Sequence, residues 1–149
     1  MSLIKWDTDL TRKGGQVLIS GLPVAMHCHH YNINLQAMLE ARLGNRGIEL
    51  MYRSAEEATY MMFKEYFRRY TKIRSTKSRI ELACTLYQNC GLGVIHFIRL
   101  DEEGGEAVSP SSHHVTGWLA KHGIRDTPGC HFARGWLSGF CEILFGKNL

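Results

Sequence analysis

The spacing of apolar positions changes once along the chain, from a helical period before Gly93 to a strand period after it. Three segments have the helical period: Leu22–Leu43, Ile48–Tyr70 and Ser78–Gln88. Pro23 suits the first turn of the first helix, and Gly44 suits its end. The pattern therefore predicts three consecutive helices.

The second predicted helix contains two features of its own. Ser54–Glu57 has the form of a capping box, which could divide the helix into two pieces. The helix is also rich in methionine and aromatic residues, among them Met51, Tyr52, Tyr60, Met61, Met62, Phe63, Tyr66, Phe67 and Tyr70. Such a stripe is typical of a core face, but thioethers and aromatic rings also line pockets for flat apolar ligands. Both interpretations stay open.

A strand period follows the third helix. Gly93–Leu100 alternates and is rich in β-branched and aromatic residues, and the acidic, glycine-rich Asp101–Glu106 is typical of a turn. A second strand should start at Ala107 and be interrupted or ended by Ser109–Ser112. The sequence thus predicts a β-hairpin.

The C-terminal part closes with a helix. His113–His122 could be a strand or a short helix ended by Gly123, and the final helix should begin after Pro128. There Gly135 and Gly139 would share one face, which allows another backbone to pack closely and predicts dimerisation through this face. The fold class is then α+β, with three to four helices packed on a small antiparallel sheet.

Composition limits the class of protein. A chain of 149 residues with 44% hydrophobic and 21% charged residues fits one domain with a core. No apolar stretch reaches the roughly 18 residues that cross a bilayer, and the N-terminal segment lacks the apolar centre of a signal peptide. Five cysteines, an odd number, favour reduced thiols over a disulfide framework. We therefore expect a single cytoplasmic domain.

The net charge of +4 comes partly from two basic runs, Arg68–Arg74 and Lys77–Arg79. These could attract an anion or a nucleic acid, but such runs are more often solvated helix ends. We do not expect nucleic acid as a partner.

A histidine-rich segment, His27–His30, lies within the first predicted helix. Neighbouring helical residues point about 100° apart, so only His27 with His30, or His27 with Tyr31, can converge. Zinc takes four tetrahedral donors, so further ligands would have to come from His96, His113, His114, His131 or Cys130. Three interpretations stay open: hydrogen-bonded histidines, a polar pocket wall and a metal site.

Cys130 is the candidate for enzymatic chemistry. It precedes a predicted helix and stands beside His131, so the helix dipole and an imidazolium could lower its thiol pKa. The chain contains no nucleophile elbow, Walker loop, dinucleotide fingerprint or His-Glu-x-x-His motif, and no flavin, nicotinamide or iron–sulfur signature. Catalysis is undecided, and these absences favour a protein that is not an enzyme.

Several segments together resemble a known family. They are Gly91–Val94, the hairpin, Ser112–Trp118 and the run Cys130-His-Phe-Ala-Arg-Gly-Trp-Leu-Ser-Gly-Phe140. Their order is similar to that of the 4-vinyl reductase domain family, which includes bacteriochlorophyll 4-vinyl reductase-like and hydrocarbon-binding proteins. Its fold is related to the sensor domains of aromatic-responsive regulators and to TRAPP trafficking subunits. The resemblance implies a small-molecule-binding α+β domain, commonly dimeric, with an apolar pocket between helices and sheet.

The chain departs from the family's pattern at its C-terminus. In the family the terminal helix is usually followed by a strand, an acidic residue and two further cysteines, which in the regulators hold a metal with the cysteine before the helix. Cys130 matches that first cysteine, and this sequence stops at Leu149. The resemblance implies a zinc site through Cys130 only if that tail exists.

From residues and resemblance together, we expect a binding domain for a hydrophobic, aromatic or tetrapyrrole-like molecule that acts as a homodimeric sensor, carrier or accessory factor. Alternatives are a component of a tetrapyrrole 4-vinyl reductase-type enzyme and a TRAPP-like protein-interaction module. The candidate ligand-binding residues are His27, His30, Tyr31, Tyr60, Phe63, Phe67, His96, His113 and Trp118. Cys130 is the candidate metal ligand.

Overall fold

The computed structural model describes residues 10–19, 21–25 and 27–146, and it begins with a three-stranded antiparallel sheet. Its strands, in spatial order, are β1 (Leu10–Lys13), β2 (Gln16–Ile19) and β3 (Leu22–Val24). Gly14 and Gly15 form the two-residue turn between β1 and β2 with φ angles of 58° and 79°, a conformation that favours glycine. The sequence analysis did not predict this sheet.

The predicted start of the first helix at Leu22 is wrong. Leu22 pairs with Ile19 across a turn at Gly21, whose φ is 77°, so the segment forms a strand instead. Pro23 lies on an edge strand, where a missing backbone N–H is tolerated. Met26, which also belonged to the predicted helix, lies outside the described residues, as do residues 1–9 of the segment used to judge a signal peptide.

Two long helices follow. Helix α1 is His29–Leu43, and α2 is Asn45–Arg69, joined to it by Gly44. The capping-box pattern at Ser54 does not divide α2, because Ala55, Glu56 and Thr59 are buried within an unbroken helix. Packing of this face outweighs a local signal worth about 1 kcal/mol.

Helix α3 (Thr76–Asn89) lies within two residues of its predicted bounds. It begins after Ser75, whose Oγ accepts a hydrogen bond from the backbone N–H of Ser78 at 3.1 Å. Its buried residues Leu82, Ala83, Leu86 and Tyr87 recur at the helical period that the sequence showed.

The predicted hairpin is confirmed as β4 (Gly93–Asp101) and β5 (Gly104–Ser112). The second strand begins at Gly104 and not at Ala107, because Asp101 already pairs with Gly104 across a two-residue turn. The Asp101 carboxylate accepts hydrogen bonds from the backbone N–H groups of Glu103 (2.9 Å) and Gly104 (3.1 Å) and thereby holds the turn. Of the two outcomes predicted for Ser109–Ser112, the interruption is correct and the end of the strand is wrong. A register shift lets β5 continue through Pro110, since bulges accommodate a residue that cannot donate to the ladder.

Two helices complete the chain: α4 (His113–His122) and α5 (His131–Phe145). The helical alternative for His113–His122 is the correct one, and Gly123 ends that helix as predicted. The described residues contain five helices and two small sheets, so the α+β fold class is confirmed with one helix more than expected. No helix within those residues is long and apolar enough to cross a membrane.

Helices α2 and α5 pack with their backbones in close contact. A Cβ atom added at Gly135 would overlap the carbonyl oxygen of Tyr52, and one at Gly139 would overlap that of Glu56. The predicted close packing is therefore confirmed, but the partner is α2 of the same chain. Dimerisation through this glycine strip is wrong, because α2 already covers it.

An aromatic core surrounds this contact. Phe63 is fully buried, and its ring centroid lies 4.9 Å from that of Phe140 and 5.5 Å from that of Trp136. Tyr87 of α3 joins them at 4.9 Å from Trp136. The core interpretation of the α2 stripe is correct for Phe63 and Tyr66, while Met61 is 55% exposed.

A buried carboxylate links the same two helices. Ser138 of α5 donates to Glu56 Oε1 at 2.6 Å, and Arg53 donates to Glu56 Oε2 at 2.7 Å. The Tyr52 hydroxyl lies 2.8 Å from Ser138 Oγ and 3.1 Å from Glu56 Oε1. Burial alone would raise the pKa of Glu56, but these hydrogen bonds outweigh it and hold the pKa below its usual value.

We expect Gly139→Ala to lower the free energy of unfolding by at least about 3 kcal/mol, because the new methyl group overlaps the α2 backbone. Chemical denaturation checks this. Gly117→Ala is the matched control, since its Cβ would meet side-chain atoms, Ile33 Cγ1 at 2.9 Å and His29 Cβ at 3.2 Å, and no backbone atom of another helix, so its cost should be smaller. A stable Gly139→Ala protein with a changed oligomeric state would contradict the intramolecular role.

The Glu56 network should make stability depend on pH. The pKa of Glu56 is lower in the folded state than in the unfolded state, where it is near 4.5. The contribution of Glu56 to the free energy of unfolding is therefore complete above pH 4.5 and is lost as the pH falls through the lower, folded-state pKa. Glu56→Gln should cost about 2 kcal/mol at pH 7 and less at acidic pH. Glu57→Gln, an exposed neighbour, is the control. Equal losses for Glu56→Gln at pH 7 and pH 3 would refute this.

Candidate ligand-binding clefts

A cleft of about 410 Å³ opens where β2, β3, the start of α1 and the start of α4 meet. We call it the histidine cleft. It is lined by Ile19, Val24, Ala25, His27, Asn32, Asn89, Cys90, Gly91, Leu92, His113 and Phe132. Strands β2 and β3 form one wall of the cleft, and the turn after α3 forms another. The cleft therefore depends on the N-terminal sheet that the sequence analysis missed.

A second, smaller cleft of about 160 Å³ lies between α2, α3 and α5. We call it the apolar cleft. It is lined by Ala55, Ala58, Thr59, Met62, Leu86, Cys90, Leu92, Phe132 and Trp136. An apolar cavity of about 150 Å³ binds benzene, so this cleft has the size of one aromatic ring.

The two clefts adjoin, because Cys90, Leu92 and Phe132 line both. An apolar space of ring size thus borders a space that carries histidine and asparagine side chains. Few polar groups at the edge of an apolar pocket are typical of small-molecule sites.

His113 is the best-defined polar group of the histidine cleft. Asn32 Nδ2 lies 3.1 Å from His113 Nε2, a hydrogen bond that joins α1 to α4. Burial, and then the nearby His29, lower the pKa of His113, so its ring is neutral at pH 7. With the amide assigned as donor, Nε2 accepts and Nδ1 carries the proton. A neutral imidazole in this state suits an uncharged polar group such as a hydroxyl.

The histidine-rich segment does not lie within a helix as predicted, because α1 begins only at His29 and His27 precedes it. The His27 and Tyr31 rings do converge, with centroids 4.5 Å apart, whereas His30 packs on His29 at 4.1 Å. No three His, Cys, Asp or Glu side chains in the described part of the chain are grouped to hold a metal. The structure therefore favours the pocket-wall interpretation for His27.

The other predicted ligand residues lie elsewhere. Phe63 is in the core, Phe67 packs against it beneath the Arg79 guanidinium, and Tyr60 lies beside Lys64. His96 is exposed on β4, and Trp118 lines a separate small cavity near Cys130. Of the nine candidates, His27 and His113 are the two that line the clefts defined above, counting described residues only.

Sequence reasoning missed Leu92 and Phe132, the shared wall of the two clefts. Leu92 follows α3 and Phe132 lies in the first turn of α5. Neither residue carries a local signal, since an apolar residue after a glycine and one in a helix are both common. Asn32 did carry a local signal, because asparagine is a poor helix former and its presence on a helix favours a polar surface.

Cys130 directly precedes α5, as the sequence predicted, and it is half-buried. The described residues offer it no companion ligands, so they do not fit a zinc site. His131 does not supply an imidazolium either: burial lowers its pKa against the opposing effect of Glu40, whose Oε1 lies 3.2 Å from its Nε2. The chemistry proposed for a cysteine nucleophile therefore lacks the imidazolium on which it depended.

A larger cleft of about 480 Å³ lies between the β4–β5 hairpin and α5. Its polar wall includes Tyr52 and Ser138, which are already hydrogen-bonded to each other and to Glu56. A ligand there would compete with an existing network, so we consider the paired clefts the better candidate.

Comparisons with known proteins place the fold. No protein-family model matches the chain, and no curated protein matches it in sequence. Among solved structures, it is similar to the phenol-responsive sensory domain of the transcription activator PoxR, crystallised with phenol. The similarity has a TM-score of 0.82 at 18% sequence identity and covers 96% of this chain and 75% of the other. At this identity the match shows that the two chains share a fold.

Proposed function

We propose that this chain is a small-molecule-binding sensory domain whose ligand is a small aromatic molecule with one polar group. The observation that carries the proposal is the junction of the ring-sized apolar cleft with the histidine cleft. The shared fold with a phenol-responsive sensory domain supports it, since that protein is named for such a response.

The ring of the ligand would pack against Leu92 and Phe132, and its polar group would meet His113. Burying about 150 Å² of apolar surface at about 25 cal/mol per Å² gives about 4 kcal/mol. One hydrogen bond adds about 1 kcal/mol. This sum is an upper bound on the binding free energy, since the loss of translational and rotational freedom on association subtracts from it.

The hydrogen bond between Asn32 and His113 suggests how binding would be reported. It ties the first turns of α1 and α4, and a ligand hydroxyl at His113 would compete with it or extend it. The consequence is a change in how firmly α1 is held, which suits a sensor better than a carrier.

The family of the chain and its cellular location are also part of this proposal. We infer membership of the 4-vinyl reductase domain family from the cysteine that precedes α5 and from the two glycines within it, and we infer a cytoplasmic location. Catalysis is not included, because the His131 ring beside Cys130 is uncharged at pH 7.

Phenol is the first probe for this site. We expect saturable binding by isothermal titration calorimetry, weakened about tenfold by His113→Phe, which removes the polar partner and keeps an aromatic ring. Leu92→Trp should abolish binding because it fills the shared wall. Both variants should retain the circular dichroism spectrum of the wild type.

His96→Phe is the matched control, since it makes the same change at an exposed histidine on β4. It should bind phenol like the wild type. No binding of phenol, cresols or benzyl alcohol to the wild-type protein, or equal binding to Leu92→Trp, would refute the site.

We further propose a homodimer that forms through the exposed face of α1. Tyr31, Leu35 and Met38 are 52%, 44% and 62% exposed and follow the i, i+4, i+7 spacing of one helical stripe. Three large apolar side chains in one stripe are typical of an interface. The glycine strip of α5 is already covered, so this face is the better candidate.

Met38→Glu should shift the protein from dimer to monomer in sedimentation equilibrium, because it places a charge at the most exposed position of the apolar stripe. Ile98→Glu is the control: Ile98 is also 62% exposed but lies on β4. A monomeric wild type, or a dimer that only Ile98→Glu disrupts, would refute this interface.

A further inference from the structure

The cleft of about 480 Å³ between the β4–β5 hairpin and α5 combines an apolar lining with charged side chains. We call it the hairpin cleft. Helix α5 brings Arg134 to it, and β5 brings Glu106. Its apolar lining includes Phe97, Leu100, Ala107 and Leu137. It shares no lining residue with the histidine cleft or the apolar cleft, so it is a separate space.

Arg134 is a cation without an acidic partner in the described part of the chain. Its side chain is exposed and forms no hydrogen bond or ion pair with those residues. Its guanidinium carbon lies 5.6 Å from the centroid of the Tyr52 ring. Arg53 lies 5.4 Å from the same centroid, but its guanidinium is already bound to Glu56 at 2.7 Å. Arg134 is therefore the cation of this region that can still accept a carboxylate partner.

The position of Arg134 on its helix favours the same partner. Arg134 lies in the first turn of α5, which contains no acidic side chain, and Cys130 begins the helix without a side-chain cap. The start of a helix carries a partial positive charge, which attracts anions and disfavours a nearby cation. An anion at Arg134 would offset the charge of the side chain and of the helix start together.

A ligand held by Arg134 can leave the Glu56 network closed. The hydroxyl groups of Tyr52 and Ser138, which also line the cleft, are hydrogen-bonded to each other and to Glu56. A ligand that used either hydroxyl would have to open these bonds. Arg134 takes no part in them, so its contact with a ligand costs no existing hydrogen bond.

Glu106 sets the orientation of such a ligand. Among the described residues that line the cleft it is the one acid, and it faces Arg99 across the β ladder. Arg99 is already bound to Asp101 at 2.7 Å, so Glu106 keeps the hairpin side of the cleft negative. A carboxylate is thus repelled by the hairpin and attracted by α5.

We propose that the hairpin cleft binds a carboxylate that carries an apolar body of roughly eight to ten carbons. The carboxylate pairs with Arg134, and the apolar body packs on Phe97, Leu100 and Leu137. An apolar cavity of about 150 Å³ holds one benzene ring, and this cleft has about three times that volume. A single small acid would leave most of the apolar lining in water, which is why the body is the longer one.

Sodium octanoate is the probe, added to ¹⁵N-labelled full-length protein at pH 7 and constant ionic strength. We expect saturable shifts of the backbone N–H signals of Gly104 and Gly105, which line the cleft, and of Ser138. Octanol has the same chain without the charge, and octylamine carries the opposite charge. Both should bind at least about tenfold more weakly than octanoate. Equal affinities for octanoate and octanol would overturn the proposal.

Arg134→Gln tests the charged contact at an exposed position that the fold does not depend on. It should weaken octanoate binding about tenfold, the effect of losing one hydrogen bond to a charged group. Arg46→Gln is the matched control, since it removes the same charge from an exposed residue of α2 outside the cleft. Wild-type affinity for octanoate in Arg134→Gln would overturn the assignment. Phenol binding in the paired clefts should stay unchanged in both variants, so the two sites are tested separately.

Ala107→Trp tests the location, because the larger side chain fills the cleft from β5. Val108→Trp is its control: Val108 is the next residue of the strand, points to the opposite face and does not line the cleft. Octanoate should bind Val108→Trp like the wild type and Ala107→Trp at least about tenfold more weakly. Wild-type affinity in a folded Ala107→Trp protein would place the octanoate elsewhere and overturn the proposal. If Ala107→Trp fails to fold, Arg134→Gln decides the question.

Discussion

The contact between the α2 and α5 backbones is the constraint on which the rest of the domain depends. Gly135 and Gly139 let the helices approach until no Cβ would fit between them, and Ser138 then reaches the Glu56 carboxylate. The same approach brings Phe63 against Phe140 and leaves the apolar cleft between α2, α3 and α5. Core and candidate site therefore follow from one helix pair.

The sequence predicted those elements whose period is long and regular. The bounds of α3 and the hairpin of β4 and β5 come close to the prediction because their packing agrees with their local pattern. The N-terminal sheet was not predicted, and the reason is local. The turn at Gly14 and Gly15 joins strands of four residues, too short for a clear alternation, although a glycine pair is itself a hairpin signal.

The candidate site was less predictable than the fold. Phe63 belongs to an aromatic stripe on α2 that could have faced a ligand or a partner helix, and only the tertiary structure shows that α5 covers it. Leu92 and Phe132 meet across forty positions of chain, which no local pattern encodes. His27 and His113 were found because their chemistry, independent of fold, marks a polar pocket wall.

Phe132 has a consequence for how the domain responds as a whole. It forms part of the wall shared by the paired clefts, and the His114 ring of α4 stacks on it with centroids 4.8 Å apart. A ligand that tilted Phe132 would therefore also displace His114. Within our proposal, one phenyl ring would transmit the presence of a ligand to α4.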